Sequence, residues 1–366
     1  MNAYIHIPFC ASICHYCDFT SFAGQGPKIP AYVNALCREI ERSDLKGPLS
    51  TVYFGGGTPS TLSADQLTKI LGALQDKTGF GPTIEISLEA NPETVDLEKL
   101  KGYRKAGVNR VSFGAQAVQK EVLHQLGRGH EWPQVETAFQ KAREAGFDNL
   151  NLDLMFGLPG QKLEMFEESL ERSLALAPEH LSLYALQVEE GTPLAKKVIR
   201  GMVVGTEDET ADQYELAQKK LGNAGYVQYE VSNFSKPDRE CRHNHNIWKG
   251  EDYWGFGVSA VGTVSGVRTS HGEDLAEYIR TSGGTLQTEK LEESTKAFEN
   301  LMLGLRTKEG VLKADVEKYA VLSGARYQGK FDDLLQKGFL QQTRDKYQVT
   351  SKGYFVLNGI LEALMV

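Results

Sequence analysis

The chain has 366 residues, 41% of them apolar and 9% aromatic, and a formal charge of −8. That length exceeds one average domain and that apolar share can fill a large core, which excludes an intrinsically disordered chain. The acidic balance argues against a nucleic-acid binder, and five cysteines, three of them bunched near the start, do not make a secreted disulfide framework. No basic-then-apolar opening reads as a signal peptide. No apolar run reaches the roughly 20 residues that cross a bilayer, so the expectation is a cytoplasmic protein without a transmembrane segment.

Short β-rich runs at residues 3–7, 51–54, 85–89, 110–113, 151–156 and 181–186 alternate with amphipathic stretches near 30–42, 63–75, 97–106, 131–146 and 161–177. Parallel neighbours need a crossover, so six strands separated by helices predict βα units, curled into a barrel or a doubly wound sheet. Cys37 falls on the first helix with Val33, Leu36 and Ile40 at core-face spacing, which predicts a buried thiol. Beyond residue 190 the pattern changes. A helix over 206–224 precedes a strand at 228–234, then the run Cys241-Arg242-His243-Asn244-His245-Asn246-Ile247-Trp248, then a Gly-rich aromatic segment at 253–260. Helices at 293–305, 313–322 and 328–337, a hairpin over 339–350 and a terminal helix give a winged-helix-like order. The expected class is α/β: a partial (βα)6-type barrel at 1–190, a barrel extension at 191–290 and a winged-helix-like unit at 291–366. The last unit carries 11 Lys/Arg against 9 Asp/Glu from residue 293, a balance suited to a lid or a partner surface rather than to DNA.

Cys10, Cys14 and Cys17 form a C-x3-C-x2-C loop directly after the first strand. A structural zinc site closes with four ligands, and an ordinary cubane takes four cysteines. Three thiolates on a 4Fe–4S cubane leave one iron open to chelate a small molecule through nitrogen and oxygen, as radical S-adenosylmethionine (SAM) enzymes do. The alternatives are a zinc knuckle closed by His6 or His15, or three unrelated thiols.

In α/β folds chemistry collects at the carboxyl ends of the strands. The unusual residues of this chain all fall there: the Cys loop, Gly55-Gly56-Gly57-Thr58-Pro59, Glu89, Gln116 and Asp153. The three glycines let backbone approach a ligand, or make a plain tight turn. No Lys-Ser/Thr follows them, which disfavours a phosphate loop. Glu89 and Asp153 interrupt apolar runs, so each should face a polar pocket, where ribose hydroxyls or an ammonium could meet them, or cap the next helix. Arg128 could pair with a ligand carboxylate or be an exposed loop arginine.

The strings YIHIPFCxxxCxYCDF, VYFGGGTPS, EANPE, VSFGAQ, LGRGH and NLDLMFGLPGQ resemble, in order and spacing, the oxygen-independent coproporphyrinogen III oxidase family of radical SAM proteins. The resemblance implies a cluster on Cys10, Cys14 and Cys17, and SAM contacts from Tyr4, Tyr16, Gly56, Gly57, Thr58, Glu89, Gln116, Arg128 and Asp153. The family has two branches. The oxidases, which convert two propionates of coproporphyrinogen to vinyls, carry an extra segment before the cluster loop and a further Cys two residues after the third. Here nine residues precede Cys10, and position 19 is Phe19. Both features resemble the heme chaperone branch, which is marked by an H-N-x-x-Y-W motif. His243, Asn244 and Trp248 match that motif, with Ile247 where Tyr is usual. The resemblance thus implies heme, a heme-acceptor protein and an electron donor for the cluster. His243 suits an axial heme ligand and Trp248 a stacking wall; His245 is a second candidate, and a hydrogen-bonded loop histidine is the alternative.

Overall fold

The computed structural model describes residues 1–324 and 327–364; residues 325–326 and 365–366 of the expected C-terminal unit lie outside them. Six βα steps open the chain: β1 (Asn2–Ile7), α1 (Ile29–Arg42), β2 (Leu49–Gly56), α2 (Ala64–Thr78), β3 (Phe80–Ala90), α3 (Leu97–Ala106), β4 (Arg110–Gln116), α4 (Lys120–Gln125), α5 (Trp132–Glu144), β5 (Leu150–Phe156), α6 (Leu163–Ala175) and β6 (His180–Ala185). β4 and β5 are buried on both faces, β4 along its whole length, although polar residues alternate with apolar ones along them. The helices are one-sided. α1 buries Tyr32, Val33, Leu36, Cys37 and Ile40, at i, i+3, i+4 spacing, against the sheet. Local signals set the ends: Ser63 and Gln66 form a capping box at the start of α2, and Gly107 takes the left-handed conformation that ends α3.

The next segment contains α7 (Pro193–Ile199), α8 (Glu207–Asn223), β7 (Val227–Gln228), β8 (Asn233–Ser235), α9 (Arg242–Trp248), β9 (Tyr253–Phe256), β10 (Val261–Val264), β11 (Val267–His271), α10 (Leu275–Thr281) and β12 (Leu286–Lys290). It feeds strands to both edges of one sheet, in the order β12-β11-β10-β9-β1-β2-β3-β4-β5-β6-β8-β7. β9 lies parallel to β1, with Asn2 opposite Tyr253 and Ile5 opposite Phe256. The outer strands are antiparallel, and the sheet curls without closing. The structure corrects two sequence readings. The strand expected at 228–234 is two short strands, β7 and β8, because the chain turns at Tyr229–Ser232, where the Glu230 carboxylate accepts the Ser232 N–H at 3.1 Å. The Gly-rich aromatic segment contains a strand, β9, made so by its pairing with β1.

The C-terminal part runs α11 (Glu293–Leu305), β13 (Val311–Leu312), α12 (Lys313–Ser323), α13 (Gln328–Gln336), β14 (Leu340–Gln342), β15 (Lys346–Val349), α14 (Ser351–Phe355) and α15 (Leu357–Leu364). β13, β15 and β14 form a three-stranded antiparallel sheet, the order of a winged helix. One apolar core holds Ala3 of β1, Leu221 of α8, Leu305 of α11 and Leu364 of α15 together. Among the described residues no helix is long and apolar enough to cross a membrane.

Candidate functional site

The carboxyl ends of β1 to β6 surround a cavity of about 430 Å³ that continues down into the barrel. Cys10, Cys14, Tyr16 and Cys17 line it from the loop after β1, Gly56, Gly57 and Thr58 from β2, Glu89 and Asn91 from β3, Gln116 from β4, and Asp153 and Met155 from β5. Arg128, from the turn after α4, completes the rim. Most residues expected at a SAM site therefore share one wall. Tyr4 does not. It stands behind that wall, stacked on Tyr53 at 6.3 Å and bonded to His6 Nδ1 at 3.1 Å.

The three thiols are free and half-buried. Thr58 Oγ1 donates to Cys10 Sγ and Arg128 Nη1 to Cys14 Sγ, each at 3.4 Å. Burial pushes the Cys10 and Cys17 thiols up, so they hold their protons until a metal displaces them. Neither histidine weighed as a fourth ligand faces the thiols. His6 Nε2 meets the Thr20 carbonyl at 3.0 Å, and His15 Nδ1 meets the Gln125 carbonyl at 2.8 Å. A single zinc ion needs its donors to converge at about 2.3 Å from each sulfur. Among the described residues no group of three His, Cys, Asp or Glu side chains converges that way. The donor chemistry and the glycines fit a larger, three-point-anchored group: a Cβ on Gly57 would sit 3.0 Å from Cys10 Sγ, so only glycine leaves the loop its place.

Along the rim the polar groups are held by one another. Arg128 Nη2 donates to Asn91 Oδ1 at 2.8 Å and to the Gly114 carbonyl at 2.7 Å. Glu89 accepts the Tyr53 hydroxyl at 2.7 Å, yet burial raises its carboxyl to about 7. Asp153 accepts Ser112 Oγ at 2.9 Å and Asn151 Nδ2 at 2.8 Å, and burial raises it too. Gln116 has φ +65°, at a register shift between β4 and β5. Such strain in a non-glycine residue collects at ligand sites.

Below the rim the barrel interior is polar, floored by α9. Arg110, Ser112, Asn151, Ser182 and Asn244 line this lower chamber, with Tyr53 and Tyr184 as aromatic walls. All of these but Asn244, which belongs to the heme motif, were missed in the sequence. Their signal was there: Arg110 and Ser112, Asn151 and Asp153, Ser182 and Tyr184 alternate with apolar neighbours, so each pair shares one strand face.

The structure also separates the residues of the heme motif. Asn244 reaches the chamber. His243 is 1% exposed, stacked on Tyr53 at 5.1 Å, with Nδ1 2.8 Å from Thr51 Oγ1 and Nε2 without a partner. As placed, it is the buried, hydrogen-bonded alternative rather than an open axial ligand. Burial lowers it to about 3, so the ring is neutral. Trp248 lies outside the chamber, with the Arg306 guanidinium 5.8 Å from its ring. His245 Nε2 meets Glu309 at 3.1 Å.

The chain is similar to known proteins along its whole length. Residues 4–172 match the model of the radical SAM superfamily, and residues 291–356 match the HemN C-terminal domain. The heme chaperone HemW of Bacillus subtilis (strain 168) is 37% identical over the whole chain and 99% of its own length. HemW of Lactococcus lactis subsp. lactis (strain IL1403) is 35% identical over the whole chain and 97% of its own, and HemW of Escherichia coli (strain K12) 34% over the whole chain and 98%. Coproporphyrinogen III oxidase (HemN) from Escherichia coli, described as a radical SAM enzyme, superimposes with a TM-score of 0.82. It is 24% identical and covers 99% of this chain and 89% of its own, a likeness of fold. With three relatives above 30% identity matched end to end, the chain belongs to the HemW heme chaperone family of radical SAM proteins.

Proposed function

We propose that the protein is a heme chaperone that holds a 4Fe–4S cluster, SAM and heme, and passes heme to an acceptor protein. The observation that carries this reading is the end-to-end similarity to proteins named heme chaperone, 37% for the Bacillus subtilis one. Cys10, Cys14 and Cys17 would hold the cluster, which when bound supplies single electrons from a separate donor and an open iron for SAM. Glu89 and Asp153 would accept from the ammonium and ribose of SAM, and Gln116 would border the same pocket. The bare backbone of Gly56 and Gly57, with Thr58 beside it, would let the methionine end lie close. Arg128, already 3.4 Å from Cys14 Sγ, would offset the negative charge that the thiolates bring.

For heme, we propose that the α9 run containing His243, Asn244 and Trp248 takes part, with His243 Nε2, which has no hydrogen-bond partner, as the nitrogen it offers. The ring's neutrality suits it to an iron, since only an unprotonated nitrogen can ligate. The competing reading is oxidation of coproporphyrinogen, for which the fold alone speaks. Phe19, two residues after the last ligand, is 67% exposed at the cavity mouth and offers no thiol there.

Anaerobic heme titration of the reconstituted protein, followed through the Soret band, tests the proposal beside a coproporphyrinogen assay. Heme binding without turnover is expected, weakened in His243→Ala and more so in the His243→Ala/His245→Ala double variant. Identical titrations for all three proteins would move heme away from α9. Turnover to protoporphyrinogen would end the chaperone reading.

A further inference from the structure

One charged side chain in the chamber has no partner. Arg110, at the start of β4, is 2% exposed, yet it lines the cavity and its Nε has no hydrogen-bond acceptor. Among the described residues no carboxylate lies within ion-pair distance of its guanidinium. Glu85 helps hold the guanidinium charged from beyond ion-pair distance, but its oxygens are taken by other donors. The Glu85 carboxylate takes the N–H groups of Arg242 and His243 at 3.0 and 3.1 Å, and Glu89 takes the Tyr53 hydroxyl. The neutral groups beside Arg110 also satisfy one another: Asn151 Nδ2 donates to Ser112 Oγ at 2.6 Å and to Ser182 Oγ at 2.9 Å, and its Oδ1 meets His180 Nδ1 at 2.6 Å. A guanidinium taken out of water and left unpaired is costly, and its planar fork matches a carboxylate.

We propose that Arg110 is the receptor for a carboxylate arm of the ligand that enters the barrel beneath the SAM rim. The arm passes between the Tyr53 and Tyr184 rings and meets Arg110 at the floor, beside Asn244. A cavity of about 430 Å³ is too small for SAM and a whole macrocycle together, since pockets for drug-sized ligands run to about 1,000 Å³. The body of the ligand therefore stays at the mouth, where Phe19 is 67% exposed, and only the arm descends. On the functional reading above, on which the identity of the ligand rests, the arm is a heme propionate. Arg110 then selects for the free acid.

The test titrates anaerobic, cluster-loaded wild type, Arg110→Gln and Arg110→Lys with hemin and with hemin dimethyl ester. A parallel NMR titration uses carboxyl-labelled propionate, a probe that does not depend on heme. Hemin binding at least tenfold weaker in Arg110→Gln, an intermediate loss in Arg110→Lys and no effect of either substitution on the ester are expected. Equal hemin binding by all three proteins would overturn the assignment while leaving heme binding in place. If wild type bound no hemin but shifted the propionate signal, and Arg110→Gln did not, the subsite would stand and the chaperone reading would fall. No response to either probe would remove both. Should Arg110→Gln fail to fold, Arg110→Lys decides: it keeps the charge and loses the fork, and unchanged hemin affinity there overturns the proposal.

Discussion

The thiols carry the first prediction at the scale of single residues. Replacing Cys10, Cys14 or Cys17 by Ala removes one of three anchors, and the broad visible absorption of the reconstituted cluster should disappear. Cys10→Ala with wild-type iron and sulfide content would refute the ligand set. A second prediction comes from the raised carboxyls. Glu89 and Glu230 stand at about 7 against an ordinary 4.5, so the fold holds their protons more tightly than the unfolded chain does. Their contribution is full below 4.5 and is lost as pH rises through about 7, on the order of 3 kcal/mol each. Denaturation of the apoprotein at acid and at neutral pH should show that fall, reduced in Glu230→Gln; an unchanged difference would sink the argument. SAM should act in the opposite sense. If it meets an ionised Glu89, affinity should tighten up to about tenfold between about pH 6 and about pH 8, and Glu89→Gln should lose the trend. The thiols and rim acids were legible because each breaks a local rule: clustered cysteines, or acids in apolar runs. Arg110 and Asn151 were not, because alternation shows that they share a face with Ser112 and Asp153 but not that this face lines a chamber, which only the neighbouring strands decide.

At the scale of elements, the turn after β2 and the helix α9 matter most. A side chain at position 57 meets Cys10 Sγ and the Pro8 backbone at 3.0 Å, so the cluster loop must give way. Gly57→Val should keep the far-ultraviolet dichroism of wild type and lose most reconstituted iron; full loading would show that the loop tolerates the push. α9 explains why His243 is buried: Glu85 accepts the first N–H groups of the helix and so draws the histidine into the barrel, which spacing along the chain does not show. β9 escaped notice for a related reason: Tyr253-Trp254-Gly255-Phe256 lacks a strand's alternation, and its pairing partner lies about 250 residues away in sequence. The six strands and the longer helices between them, by contrast, were visible, α4 alone having no counterpart in the sequence reading, since β-rich runs and one-sided helices announce themselves locally.

Across the whole molecule, the barrel, its extension and the C-terminal part share one core. The ties include a hydrogen bond from the Val231 N–H to the Arg306 carbonyl at 2.8 Å and a fork from Arg268 Nη2 to both Glu299 oxygens at 2.7 and 2.8 Å. Calorimetry of the apoprotein should therefore give one cooperative transition. Leu305→Ala, at a fully buried position of α11, should lower all of it, at a cost of about 2–5 kcal/mol. A separate low-temperature transition, moved alone by Leu305→Ala, would mean that the C-terminal part unfolds by itself.

The place of β1 has a consequence for how the chain is made. This strand, with the Cys loop directly behind it, is made long before β9, which is one of its two neighbours. Pairing over so long a stretch of chain is slow, because loop closure must be met before any contact rewards it. During synthesis the first strand keeps a bare edge, and its three thiols sit on a half-built wall. On the proposed function, iron and sulfide delivered that early would meet an unfinished cradle, and a cluster would go in only after β9 has closed the wall.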